Sequence, residues 1–253
     1  MRALFAIGLT VAALALALAI LAPATIVDNR VDALTAGRVR ISNATGTVWN
    51  GAGDLRVPAA DLRVPVAWQI ERLPLLRAEV RGTVSEQGNV PVAFDIGRDR
   101  YDVRNLTLSL PADALLRAIG APAVIGDAGG RVDVHVEHLS RQHEALDGRV
   151  DARWLDASLP GPRPDARIAL GDVRIDGSGR GGRLVGTIAN TGGNVDIAGT
   201  VTVGASGDAG IDAQIRPRDG LDAERRNAIA AALSMIGRAD GTGAYRIAWT
   251  IAP

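Results

Sequence analysis

From Arg38 to the end of the chain, apolar and polar residues alternate with a period of two, segment after segment. Val39, Ile41, Leu55, Val57, Leu62, Val64, Val66, Trp68 and Ile70 are separated by Arg, Asp and Gln. Successive side chains of a strand point to opposite faces, so this pattern specifies strands with one face on a core and one in water. The same rhythm continues through 77–86, 90–97, 101–110, 130–140, 143–158, 166–178, 183–190, 194–204, 209–217 and 244–252. Turn signals at Gly53, Gly88-Asn89 and Gly97-Arg98-Asp99 punctuate it. Short strands at such spacing predict an antiparallel architecture, and the half-wet pattern argues against a doubly wound parallel sheet. A loose repeat, in which Gly46, Gly82, Gly130, Gly148, Gly186 and Gly199 each open or continue a strand, fits a sheet that bends at glycines.

Three segments break the period of two. Val27, Val31 and Leu34 share a helical face in 25–37, which reads as a short juxtamembrane helix or linker ended by Gly37. PADALLRAIG (111–120) places Pro111 in a first turn, an apolar stripe of Leu115, Leu116 and Ile119, and Gly120 as its stop. Ala223 to Ile236 follows a capping Asp222, turns Ile229, Leu233 and Ile236 to one side, and ends at Gly237.

The other exception is Ala3–Ala22, twenty residues without a charge. At about 1.5 Å rise per residue such a run crosses a hydrocarbon core of roughly 30 Å. Arg2 favours a cytoplasmic N-terminus, with the rest of the chain on the far side of the membrane. A cleaved signal peptide is the alternative, with Ala22-Pro23-Ala24 as the cleavage site. The length of the run and the proline inside that site favour a retained anchor. The expected domains are therefore a transmembrane anchor (1–24), a juxtamembrane helix (25–37) and a periplasmic β-rich domain (38–253).

Net charge is zero, so no electrostatic case exists for nucleic acid or for an anionic membrane surface. All 28 basic residues are arginine and there is no cysteine, which excludes disulfides, a thiolate nucleophile and thiolate metal sites. Gly177 to Gly182 spells G-x-G-x-x-G, but a strand pattern follows it where a dinucleotide site needs a helix, so it reads as a hairpin turn. His135, His138 and His143 cluster, yet an odd spacing on a strand sends His135 and His138 to opposite faces. No nucleophile elbow and no H-E-x-x-H helix is present. The expected catalytic, cofactor and metal residues are none.

Trp49, Trp68, Trp154 and Trp249 stand out in a chain with only 3% aromatic residues. Each lies in or beside a predicted strand, where a large ring either fills a gap in the core or lines a groove for lipid or peptide.

Taken in order, several pieces resemble the type II secretion system protein N family. They are the apolar segment before Ala22-Pro23-Ala24, then Gly46-Thr47-Val48-Trp49-Asn50-Gly51, Val66-Ala67-Trp68, LSLPADALLRAIG (108–120), GRVDARWLDA (148–157), NTGGNVDIAGTVTVG (190–204), and IRPRDG before the last helix. Gly46, Thr47, Trp49, Gly51, Trp68 and Trp154 are the signature residues, expected to be structural. The resemblance implies a non-enzymatic accessory subunit of the secretion machinery in the bacterial inner membrane, working through contacts with other secretion components. At the level of fold the family also resembles AsmA-like membrane-anchored β proteins, which makes a carrier of lipid in an apolar groove the alternative. The expected fold is mainly β: a curled or sandwich-like antiparallel sheet with two short helices after one transmembrane helix.

Overall fold

The computed structural model describes residues 23–251, apart from 36, 38, 59–61, 87–89, 119–126, 162–165 and 181. The expected anchor, Ala3–Ala22, lies outside the described residues, as do the turn at Gly88-Asn89 and the helix end at Ile119-Gly120. No helix among the described residues is long and apolar enough to cross a membrane. The chain forms two compact units that meet in sequence at Asp95/Ile96.

In the first unit, helix α1 (Thr25–Leu34) precedes five strands: β1 (Arg40–Gly46), β2 (Asn50–Val57), β3 (Leu62–Ile70), β4 (Val80–Glu86) and β5 (Val92–Ile96). A 3-10 turn, η1 (Leu73–Arg77), joins β3 to β4. Sequence order is sheet order, and the registered pairs β1–β2, β2–β3 and β3–β4 are antiparallel. Val27 and Val31 of α1 pack on a core of Ala24, Ile41 and Trp68, as their helical spacing predicts. Thr35 closes α1 through its hydroxyl, which donates to Val31 O at 2.7 Å, and Gly37 then turns the chain away at φ +77°.

The second unit is a ladder of long hairpins: β6 (Arg100–Pro111), β7 (Gly129–Gln142), β8 (Ala145–Pro160), β9 (Arg167–Arg180), β10 (Arg183–Thr191), β11 (Val195–Gly204) and β12 (Ala209–Pro217). Each pairs antiparallel with the next; β14 (Tyr245–Ile251) then pairs with β12, and the two-residue β13 (Arg238–Ala239) lies outside β14. Helix α2 (Ala112–Ala118) covers Val132 and Trp154, and α3 (Ala223–Ile236) covers Ile168, Leu170, Ile197 and Ile215. The cover on the sheet is helical, so the sandwich alternative gives way to an open antiparallel sheet. The α3 signals translate directly. Asp222 Oδ1 accepts from Arg225 N at 2.7 Å, Ile229 and Leu233 are buried, and Gly237 N donates to Leu233 O at 2.8 Å.

Three local expectations change. Pro111 is the last residue of β6, paired with Arg131, and the helix begins at Ala112. A proline tolerates a strand end as well as a first helical turn, so sequence alone does not separate the two. Gly53, expected in a turn, lies inside β2 opposite Val66. The turn falls instead at 47–49, and Gly46 is the last residue of β1. The segment 73–77 is a 3-10 turn that no periodicity announced, because one turn is too short to display a period.

The wet faces carry Arg–Asp pairs: Arg63–Asp54 at 2.5 Å, Arg81–Asp95 at 2.8 Å, Arg183–Asp208 at 3.0 Å, Arg218–Asp196 at 2.7 Å, and Arg246 with Asp212. The Arg63 guanidinium, helped by the Asn43 amide, holds Asp54 below the ordinary carboxylate range; Arg246 does the same for Asp212, and the Thr242 hydroxyl for Asp240. A carboxylate depressed in the folded state adds stability above its unfolded pKa of about 3.9, and that stability disappears as pH falls through the folded value. The melting temperature of the full chain in detergent is therefore expected to be level from pH 7 to about 5 and to fall below about pH 4. The pairs lie at the surface, their arginines exposed or half-buried and Asp54 and Asp95 half-buried, so the slope is shallow. A pH-stability maximum lying below pH 4 would contradict these pairings.

Candidate functional site: the tryptophan turn of the first unit

Five of the six signature residues meet at one corner. Gly46 leaves β1 at φ +85°. Thr47 closes the turn on Asn50: Thr47 N donates to Asn50 O at 2.9 Å, and Asn50 N donates to Thr47 Oγ1 at 3.1 Å. Trp68, on β3, is 5% exposed and donates its indole N–H to Val48 O at 3.1 Å. The ring lies over Gly51, where a Cβ would sit 2.5 Å from Trp68 Cζ2 and 2.7 Å from Thr45 O. Only glycine allows that approach. Trp68 thus fills the core while bracing the turn from beneath.

Trp49 has a different setting. It sits at the apex of the braced turn, half exposed, with the Arg72 guanidinium 5.5 Å from its ring centroid. Ile70 N donates to Trp49 O at 2.7 Å, which ties the β1–β2 turn to the start of the β3–β4 connection. Leu73, the first residue of η1, is 79% exposed, while Pro74 beside it is buried. Pro23 forms an antiparallel bridge with Thr47, and Ala24 N donates to Gly46 O at 3.3 Å. Arg72 and Leu73 escaped the sequence reading; the available signal was an arginine and an exposed leucine directly after a strand that ends beside Trp49.

Trp154 stands apart, in the second unit. Its indole N–H donates to Gly129 O at 2.8 Å, and its ring packs among the residues under α2. Register shifts in β8 follow it between Trp154 and Ala157, so the ring sits where the strand bulges. Trp249 lies on β14 opposite Ile211. Arg180 pairs with Arg183 across the glycine-rich segment, which makes it a hairpin. His135 Nδ1 is 3.2 Å from Thr107 Oγ1, and His143 occupies the β7–β8 turn at φ +56°. Among the described residues no group of three or more His, Asp or Glu side chains converges as a metal site would require. The apolar niche between α3 and the ends of β8 and β9, with Met235 at its rim, measures about 150 Å³, below the roughly 300–1,000 Å³ of small-molecule pockets.

The model of the type II secretion system protein N family matches residues 37–248. The match covers most of the chain, and the chain belongs to that family. Searches of curated proteins and of solved structures gave no match.

Proposed function

We propose that this chain is a non-enzymatic accessory subunit of the type II secretion machinery, held in the inner membrane by Ala3–Ala22 with its N-terminus in the cytoplasm and its β units in the periplasm. Membership of the protein N family over residues 37–248 carries the reading. It acts through contacts with other secretion components, and a sheet edge supplies the means. Antiparallel strands point their backbone groups alternately to either neighbour. Asp240 N donates to Ala244 O, so Ala244, Arg246, Ala248 and Thr250 face outward from β14. β13 covers only Arg238–Ala239 against Tyr245 and Arg246. The N–H and C=O groups of Ala248 and Thr250 meet no further strand among the described residues, and neither residue is itself charged or a proline. The edge at β1 is the better protected one. It has a register shift between Ser42 and Thr45, with Asn43 at φ +56°, and α1 and the Pro23 bridge lie beside it. An open edge takes up an extended segment of another protein by main-chain bonding, which needs no distinctive side chains.

A photoreactive residue at Thr250 in the full chain, expressed with its native secretion system, is expected to cross-link to another secretion component. Thr250→Pro removes an outward N–H and leaves the bond pattern with β12 in place, so it is expected to abolish co-purification without lowering the melting temperature appreciably. Co-purification unchanged in Thr250→Pro would remove the edge from the mechanism. Detergent extracts of the wild type that repeatedly lack other secretion components would overturn the assignment as a subunit.

A further inference from the structure

The end of the first unit that carries Trp49 and Leu73 is, we propose, a membrane-seating surface that rests on the phospholipid headgroup layer of the bilayer holding Ala3–Ala22. The proposal depends on the reading of that stretch as a retained anchor and adds a second contact with lipid.

Connectivity places this end. The apolar stretch finishes at Ala22, and the next residue, Pro23, is bridged to Thr47 in the β1–β2 turn. A spanning segment that stops at Ala22 leaves Pro23 at headgroup depth, since the headgroup regions add only about 5–8 Å on each side of the hydrocarbon core. The turn bonded to Pro23 is then at the same depth. The β3–β4 connection shares it, because Ile70 N donates to Trp49 O. Nothing has to move to bring Trp49, Arg72 and Leu73 to the surface; the hydrogen bonds already hold them there.

The side chains suit that position. Trp is enriched at the membrane–water boundary, where its ring is apolar and its N–H is wet. Arg72 over the Trp49 ring presents a guanidinium, whose fork fits a phosphodiester. Leu73 at 79% exposure is the most exposed large apolar residue of the described chain, and Ile26, in the first turn of α1, is 42% exposed near the same end. Lone exposed leucines are ordinary, but an exposed leucine beside a half-buried tryptophan at the root of an apolar anchor is a patch with a specified neighbour. Glu71 and Glu79 stand against Arg72, Arg77 and Arg81 there, three positive charges against two negative, so the end has little net charge. Contact therefore comes from burying Trp49 and Leu73 rather than from attraction to anionic lipid, and it is insensitive to salt.

The chain has no cysteine, so one introduced cysteine labels one place. Leu73→Cys, and Val90→Cys as control, are each labelled with an environment-sensitive fluorophore in the full chain, reconstituted in phosphatidylethanolamine/phosphatidylglycerol vesicles. Val90 is 70% exposed but follows the other end of β4. The seven residues of β4 separate those ends, about 20 Å at 3.3 Å per residue. Flotation of the protein with the vesicles comes first, since it reports the anchor alone. In floated protein the label at position 73 is expected to shift to the blue, to be quenched by lipid carrying a doxyl group near the headgroup, and to keep that quenching in high salt. The label at 90 is expected to stay aqueous. Floated protein with neither label quenched, or with both quenched alike, overturns the seating surface while leaving the anchor intact. Protein that does not float overturns the anchor, and the proposal with it.

Discussion

Trp68→Ala is expected to cost about 3–5 kcal/mol of stability in the first unit, the range for removing a large buried aromatic. The ring is 5% exposed and forms the core with Ala24 and Ile41, against which α1 packs. Its loss leaves a cavity on one side and frees the Val48 carbonyl on the other. The consequence extends beyond packing, because the β1–β2 turn that displays Trp49 rests on this ring. Trp68→Phe keeps most of the volume and gives up the N–H bond, so it should cost considerably less, with about 1 kcal/mol of the loss from the bond itself. Gly51 supplies a second handle. Gly51→Ala drives a Cβ into the ring and the Thr45 carbonyl, and overpacking of this kind costs about 1–3 kcal/mol. The ring clash vanishes once Trp68 is alanine, so the double variant should be less destabilised than the sum of the two. Thermal or urea unfolding of the full chain in detergent, followed by circular dichroism, measures all four proteins. Additive losses would mean that Trp68 does not rest on Gly51.

Much of this architecture was legible because it is local. A strand with one wet face writes its period of two into the sequence, and the α3 cap, stripe and stop are contained within sixteen residues (222–237). The division at Asp95/Ile96 was not legible, since it falls within β5 and no change of composition or linker marks it. The site was legible only in part. Gly46 to Gly51 announced itself as a motif, and Trp68 by its rarity in an aromatic-poor chain. That Pro23, Thr47, Trp49, Ile70 and Leu73 share one end is a fact of pairing register, carried by a bridge and hydrogen bonds across more than twenty residues. Sequence patterns that specify strands do not specify which strand ends coincide. The same reason hid the role of Asn190, whose partners lie on two neighbouring strands.

Asn190 is expected to be the most costly polar residue to lose in the second unit. Its side chain replaces ladder bonds where β10 turns into β11. Nδ2 donates to Leu170 O at 2.6 Å and to Val195 O at 2.8 Å, and Oδ1 accepts from Ile197 N at 2.7 Å. Val195 and Leu170 are buried, so the groups left behind cannot turn to water. Asn190→Ala removes these three short bonds, together with a longer one from Nδ2 to Gly192 O at 3.4 Å; at about 0.5–1.5 kcal/mol for each short bond, a loss of about 2–4 kcal/mol follows. Asn190→Asp is expected to be at least as damaging, because it keeps the acceptor and sets a carboxylate oxygen against two carbonyls. The turn itself is held by a close approach. Gly193 has φ +75°, and a Cβ there would lie 2.5 Å from Gly171 N and within the Leu170 backbone. Gly220 has a comparable φ of +86° with nothing within 4 Å. Alanine at either position incurs the left-handed penalty of about 1–2 kcal/mol, but only Gly193→Ala also pushes the turn off β9. The difference between Gly193→Ala and Gly220→Ala in unfolding midpoint therefore isolates the contact from the conformation. Equal losses would show that this turn is held by backbone preference alone; a clearly larger loss for Gly193→Ala is expected, because Asn190 can bridge β9 and β11 only while the turn lies flat against Leu170.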